Sequence, residues 1–369
     1  MNPDAKRFGR GTKFISVMDV LNNQYILYDN IRASVELQDG DIETYGVDYG
    51  DILFQRSSET LEDVGRANVY LDSKPAIFGG FVIRGKSKGN YNPLFFRYLL
   101  ASPTARKRII VKGEGAQHFN IGQDGLSKVS LDVPSLQEQE KIGKLLQCVD
   151  ARIATQTKII EDLKKLKSAI AQKLFNDRVL LETRISLGEV CELKNGYALK
   201  SSSYCIDGKY NILTIANVQG SSYISTESCK TISYLPNDLQ EHQVLRENDI
   251  LISMTGNVGR VSLCSKGHYL LNQRVGLLVP KIKEAEFLFQ VLASERFEQS
   301  MIACGQGAAQ INIGKNDIDG YLLPFSRKSD NMSYIAKVLQ AYDNCINTNV
   351  RLLDFLILQK QYLLSQMFI

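Results

Sequence analysis

Histidine is scarce in this chain: His118, His242 and His268 are the only three in 369 residues, and none has a histidine partner at helical or hairpin spacing. They supply no ligand set of the spacing that zinc or another transition metal requires. The cysteines at 148, 191, 205, 229, 264, 304 and 345 are odd in number and never form C-x-x-C. That argues against a zinc ribbon or a disulfide framework and fits a reducing cytosol, so a cytoplasmic location is expected. No apolar run approaches the roughly eighteen residues of a membrane span. Residues 1–7 lack the apolar core of a secretory signal. Neither charge sign dominates: 44 Lys and Arg against 40 Asp and Glu leave +4, compatible with nucleic-acid binding and diagnostic of nothing.

Catalytic signatures are missing too. There is no G-x-S-x-G elbow and no Walker loop. In Gly113-x-Gly115 and Gly305-x-Gly307 the third glycine of a dinucleotide site is misplaced, and neither unit shows the strand–turn–helix with a following acid that the motif requires. Asn92-Pro-Leu-Phe95 approaches the Asn-Pro-Pro-Tyr/Phe motif of adenine methyltransferases but lacks its second proline; it reads better as a turn opening a helix with proline at the first position. Asp162-Leu-Lys164 and Glu192-Leu-Lys194 lack the upstream Pro-Asp of a nuclease centre. The expectation is a non-catalytic protein.

What the chain does contain, it contains twice. Ile142-x-Lys144-x-Leu146-Gln147-x-x-Asp150 returns 193 residues later as Ile335-x-Lys337-x-Leu339-Gln340-x-x-Asp343, and Phe175 returns as Phe368. Upstream, Gly113-Glu-Gly-Ala-Gln-His-Phe-Asn-Ile-Gly122 matches Gly305-Gln-Gly-Ala-Ala-Gln-Ile-Asn-Ile-Gly314. Asp51-Ile-Leu and Val64-Gly-Arg66 match Asp249-Ile-Leu and Val258-Gly-Arg260. This repeat is too long for a solenoid unit and is a duplicated domain with a helix attached. Apolar runs at 52–54, 77–82, 250–252 and 275–279, separated by Gly, Asn, Asp and Ser, make both units strand-rich; helices are expected over 93–101 and 286–297.

Gly and Pro thin out over 137–177 and again from about 329, where apolar residues follow a 4-3-4-3 stripe for more than four heptads. That spacing predicts coiled-coil helices. Both stripes are broken at equivalent places, Gln156/Asn349 and Lys167/Lys360, where polar seam residues would set register. The predicted fold class is α+β: two strand-rich domains, each followed by a long helix, the helices forming an antiparallel coiled coil with pseudo-two-fold symmetry. Domains are expected at 1–136 and 179–326, with helical spacers at 137–178 and 327–369. At ~1.5 Å per residue each spacer would reach on the order of 55–60 Å. The bland alternative, that each helix only covers its own unit, fits a stripe of this length less well.

The repeated turns carry amides and guanidinium groups beside glycines, the side chains that read base edges and neutralise phosphates. Candidates for DNA contact are Arg66, Gln117 and Asn120 in the first unit, and Arg260, Gln273, Arg274, Gln306, Gln310, Asn312 and Lys315 in the second. Arg274 lies in an apolar strand-like run, where a structural role competes. Hairpin turns with solvated polar residues are the competing reading of the whole set.

Ile185-Ser-Leu-Gly-Glu-Val190, Lys194-Asn-Gly-Tyr197, Asp249-Ile-Leu-Ile-Ser-Met-Thr-Gly-Asn-Val-Gly-Arg260, Asn272-Gln-Arg-Val-Gly276, the 305–314 loop and Ala171-Gln-Lys-Leu-Phe175 occur in an order and duplication that resemble the DNA-specificity subunit of type I restriction-modification systems. The resemblance covers nearly the entire chain. It implies two target-recognition domains, each reading one half of a bipartite double-stranded DNA site. It also implies methylation subunits that bind S-adenosylmethionine and a restriction subunit that uses ATP and magnesium, so those cofactors would sit on partners and none on this chain. One departure stands out. Gly11 to Val20 aligns with Gly208 to Asn217, and nothing in the first copy answers to 185–207, so the first domain reads as N-terminally truncated. Other readings are a duplicated recognition module of another defence system and a coiled-coil scaffold that binds protein.

Overall fold

A computed structural model describes every residue except Asn2, Ser228, 306–310 and Ile369. The first repeat holds β1 (Phe8–Ile15), α1 (Val17–Asn22), β2 (Ala33–Val35), α2 (Asp41–Tyr45), β3 (Gly46–Val47), β4 (Ile52–Gln55), β5 (Ser57–Ser58), β6 (Ala67–Val69), β7 (Ala76–Phe78) and β8 (Val82–Gly85). These are followed by α3 (Pro93–Leu99), α4 (Pro103–Ile110), β9 (Phe119–Asn120), α5 (Gln123–Ser127) and the long α6 (Leu136–Phe175). The second repeat holds β10 (Thr183–Ser186), α7 (Leu187–Val190), β11 (Cys191–Asn195), β12 (Tyr210–Leu213), β13 (Lys230–Ile232), β14 (Val244–Leu245), β15 (Ile250–Ser253), β16 (Val261–Leu263), β17 (Tyr269–Leu271) and β18 (Val275–Pro280). Then come α8 (Ala285–Leu292), α9 (Glu295–Cys304), α10 (Lys315–Asp319), β19 (Leu322–Phe325) and the long α11 (Ser329–Met367). None of these helices is long and apolar enough to cross a membrane.

Two compact units result: Met1–Thr157 with Arg351–Ile369, and Lys158–Val350. Each long helix therefore serves both units. In unit 1 the sheets run β2-β1-β7-β3 and β6-β4-β8, with the small ribbon β5-β9; in unit 2 they run β13-β12-β17-β14 and β11-β18-β15-β16, with β10-β19. Register equates the repeats: Ile52 lies opposite Gly85 as Ile250 lies opposite Leu278, and each unit holds one parallel strand pair at the matching place, β1 with β7 and β12 with β17.

Local chemistry explains the breaks. The apolar run at 77–82 is two strands because Gly79 and Gly80 turn the chain, with the Val82 amide donating to the Gly79 carbonyl. The helix expected over 286–297 is α8 and α9, because Ser294 leaves the helix and caps the Phe297 amide. Asn92 caps α3 by accepting from the Phe95 amide at 2.9 Å, and Pro93 opens the helix, which accounts for the methyltransferase-like string as a cap.

The seam between the long helices runs antiparallel in each unit. In unit 1 the Lys360 ammonium meets Asp150 at 2.7 Å, and Phe368 packs with Leu146, Phe95 and Leu99. In unit 2 Lys167 meets both oxygens of Asp343 at 2.7 Å, and Ala171 and Phe175 share a core with Ile335 and Leu339. Gln156 is buried in unit 1 and Asn349 half-buried in unit 2, where its amide donates to the Cys345 carbonyl. Each aspartate also ties its helix to the strand-rich part of its unit. Asp150 accepts from the Tyr98 hydroxyl (2.8 Å) and the Gln24 amide (3.1 Å); Asp343 accepts from Gln290 (2.6 Å) and Ser222 (3.1 Å). Burial, reinforced by the Asp150 hydrogen bond, holds the Tyr98 phenol well above its ordinary range.

Burial likewise raises the Glu286 carboxyl, with the Asp343 charge adding to it, while Gln290 and Lys167 oppose the shift. A carboxyl raised on folding contributes stability below its unfolded pKa of about 4.3 and loses it as pH climbs through the folded value. Glu286→Gln is therefore expected to raise the thermal midpoint at pH 7, with the gain shrinking as pH falls through the ordinary glutamate range. Melting curves of both proteins from pH 4 to 7 check this; a gain that grew toward low pH would reverse the sign.

Candidate nucleic-acid interface

In each unit the repeated turns meet at one backbone junction. In unit 2 the junction is Met254: its amide takes the Arg274 carbonyl at 3.1 Å and its carbonyl takes the Ile313 amide at 3.0 Å. Beside it, the Ser253 amide donates to the Arg260 carbonyl (2.9 Å), Gly256 to Ile311 (3.0 Å), and Thr255 bridges Asn312. The same bonds recur in unit 1 around Arg56: its amide takes Phe81, its carbonyl takes Ile121, the Gln55 amide takes Arg66, and Ser57 pairs with Asn120. Arg260, Arg274 and Asn312 are thus gathered on one set of turns, as are Arg66 and Asn120 on the other.

Gln273 and Arg274 are both exposed, on the turn leading into β18 and not within the strand. Lys315 is exposed at the start of α10. Gln117 lies on an exposed turn closed by the Glu114–Asn120 bridge. Gln306 and Gln310 fall outside the described residues.

The two arginines of the Val-Gly-Arg repeats are steered by acids. Arg66 pairs with Asp63 at 2.7 Å, Arg260 with Glu298 at 3.2 Å, and both keep at least a third of their side-chain surface in solvent. Such half-exposed pairs contribute little to stability, about 0–1 kcal/mol, so a phosphate could compete for either guanidinium. The preceding glycines, Gly65 and Gly259, lie at φ +67° and +78°. The close approach they allow is to the unit's own helix, Ile109 of α4 and Met301 of α9, so they position the arginines from behind.

Two residues at the junctions carry no repeat signal. Arg56 and Phe81 are exposed in unit 1, Phe81 by 66 %, while their structural counterparts in unit 2 are Met254 and Arg274. The arginine and the large apolar group have exchanged places on the same pair of strands. A comparison of identical residues passes over both positions; the signal that finds them is location, directly after β4 and directly before β8. Among the described residues no group of three or more His, Cys, Asp or Glu could hold a metal ion.

Known proteins with this arrangement point one way. The chain is 25 % identical over 354 residues to a putative type I restriction enzyme specificity subunit, MjaX, of Methanocaldococcus jannaschii, spanning 90 % of this chain and 80 % of that protein. It is 26 % identical over 313 residues to the MjaVIII specificity subunit of the same organism, spanning 78 % and 72 %. Its fold matches the type I S subunit from M. genitalium with TM-score 0.57 at 16 % identity, covering 99 % and 94 % of the two chains. A chain from a type I restriction-modification system, solved for its complex assembly and conformational transition, matches with TM-score 0.60 at 14 % identity over 96 % and 90 %. The family model described as type I restriction modification DNA specificity domain matches residues 2–165 and 183–355, one match on each repeat. The chain belongs to the family of type I restriction-modification DNA specificity subunits.

Proposed function

We propose that this chain is the DNA-reading subunit of a type I restriction-modification assembly. On this reading it directs methylation and restriction subunits to a bipartite site, and S-adenosylmethionine, ATP and magnesium are bound by those partners. The supporting observation is the doubled junction: identical backbone bonds around Arg56 and Met254 present different side chains in the two units. Two readers of one geometry and different chemistry suit two half-sites of unlike sequence. Co-purification of a methylation subunit with the tagged chain, and a methylome in which the modified motif is split and non-palindromic, are the expected results. A continuous palindrome would contradict the two-reader account.

Within this reading Arg66, Arg260 and Lys315 serve phosphates, while Gln117, Asn120, Gln273, Arg274, Gln306, Gln310 and Asn312 face bases. Phe81 and Arg56 join them, Phe81 suited to a thymine methyl group and Arg56 to guanine. Arg274→Ala is expected to cost ~1–3 kcal/mol on the cognate duplex and to relax one base position. Arg260→Ala should weaken cognate and scrambled duplexes alike and reduce the salt slope by about one. Titrations over a salt series separate the two behaviours, and unchanged affinity in both folded variants would remove these turns from the interface.

A further inference from the structure

The short helices behind the two Val-Gly-Arg turns are the same element with opposite charge. Ser102 opens α4 by accepting from the Ala105 amide, and Ser294 opens α9 by accepting from the Phe297 amide. Seven residues after each cap stands the side chain that fills the space beside the turn glycine, Ile109 against Gly65 and Met301 against Gly259. The ten residues after Ser102 hold Arg106, Lys107, Arg108 and Lys112 with no acid; the ten after Ser294 hold Arg296 against Glu295 and Glu298. The first stretch carries +4 and the second −1. Adding the turns themselves, Glu59, Glu62, Asp63 and Arg66 in unit 1 and Arg260 in unit 2, leaves unit 1 at +2 and unit 2 at zero.

The fourth residue after each cap shows what this exchange does. In unit 2 it is Glu298, which accepts from the Arg260 Nε at 3.2 Å. In unit 1 it is Arg106, whose Nη2 donates to the Glu62 and Val64 carbonyls at 2.8 and 2.7 Å, on either side of Asp63. Arg106 therefore braces the Arg66 turn through its backbone and sets a second positive charge beside Arg66, where unit 2 sets an acid. Burial lowers the pKa of the Arg106 guanidinium, the Arg66 charge adds to the shift, and Asp63 opposes it. Its Nη1 is buried without a hydrogen-bond partner. Next along α4, Lys107 is exposed and has no acid partner among the described residues. Arg108 keeps only a 3.4 Å contact with Asp132, whose side chain is 84 % exposed.

We infer that α4 is a phosphate-binding element of unit 1 adjoining the Arg66 turn, with Lys107 as its contact to the DNA backbone and Arg106 as the residue that positions Arg66. In unit 2 the matching helix does the reverse, because Glu298 holds the guanidinium that a phosphate would take. The two units then differ in role, unit 1 supplying the larger share of the sequence-independent, salt-dependent attraction. The inference rests on the nucleic-acid reading and extends it to a helix that the repeat comparison does not single out. Duplex DNA is favoured over an acidic protein surface by continuity: Arg106 bonds the turn whose Arg66 carbonyl takes the Gln55 amide at the junction.

The test titrates the full chain with a duplex of scrambled sequence over a salt series. Lys107→Gln should reduce the salt slope by about one and weaken binding roughly five- to tenfold near ~0.1 M salt. Arg106→Glu gives unit 1 the acid of unit 2 and should lose a similar amount by pairing with Arg66. Glu298→Arg should do the opposite, steepening the slope by about one and tightening binding, a gain that misfolding does not produce. Lys107 is exposed, so its variant keeps the unfolding transition of the parent and separates lost contact from lost folding. A parent that binds, with slopes unchanged in Lys107→Gln and Glu298→Arg, overturns this proposal and leaves the nucleic-acid reading intact. A parent that binds no duplex overturns both. Unchanged duplex binding with lost co-purification of a methylation subunit in Lys107→Gln would assign α4 to an acidic protein surface, which also overturns it.

Discussion

Asp343→Ala is expected to destabilise unit 2 by about 3 kcal/mol, among the largest effects available to a residue of no catalytic role. The carboxylate is buried, its side chain 11 % exposed, and three donors converge on it: Lys167, Gln290 and Ser222. Truncation leaves an ammonium that is itself only 19 % exposed without its counter-charge, and a buried amide without its acceptor. Asp150→Ala should cost less, about 2 kcal/mol, because Lys360 is 31 % exposed and can extend its head group into water. Urea unfolding with a double-mutant cycle, adding Lys167→Met to Asp343→Ala, tests the mechanism. If removing the ammonium restores none of the loss, the uncompensated charge is not its cause.

Gly259→Ala should be nearly as damaging. A side chain at φ +78° costs ~1–2 kcal/mol in the left-handed region, and its Cβ would stand 2.6 Å from the Met301 Cβ and 3.3 Å from the Glu298 Cα. Those atoms belong to the root of α9, so relief requires moving the helix, another ~1–3 kcal/mol. The sum is on the order of 2–4 kcal/mol, with Arg260 and its Glu298 partner displaced together. Gly65→Ala meets the Ile109 methyl at 2.7 Å and otherwise only side-chain atoms of Ile121, at 3.5 and 3.6 Å. Denaturant melts should rank Gly259→Ala above Gly65→Ala, since a side-chain methyl yields before a backbone does. An alanine at 259 that left stability unchanged would refute the steric account.

Much of this architecture is legible in the sequence because duplication prints the same constraint twice. The offset of 193 marks the long helices, the seam lysines and the Val-Gly-Arg turns, and the polar breaks at Lys167 and Lys360 announce a buried partner. The partners themselves, Asp150 and Asp343, stand in the repeated Leu-Gln-x-x-Asp string. Heptad reasoning passes over them because an aspartate one position after an apolar seam residue reads as solvated. Arg56 and Phe81 escape for another reason: a repeat comparison rewards sameness, whereas residues that discriminate between ligands must differ. Their equivalence to Met254 and Arg274 exists only in hydrogen-bond register. The break at Ser294 was readable as a cap signal, but apolar periodicity on both sides outweighs one serine.

The division of the two long helices sets an order of events during synthesis. Unit 2 is continuous, Lys158–Val350, and all its contacts are within reach once that stretch has left the ribosome. Unit 1 joins Met1–Thr157 to Arg351–Ile369, so Asp150 is made 210 residues before Lys360, and Leu146 and Phe95 are made earlier still relative to Phe368. The first stretch of unit 1 is thus made before unit 2 and finishes folding after it, and through that interval the apolar face of 142–153 is exposed to chaperones and to neighbouring chains.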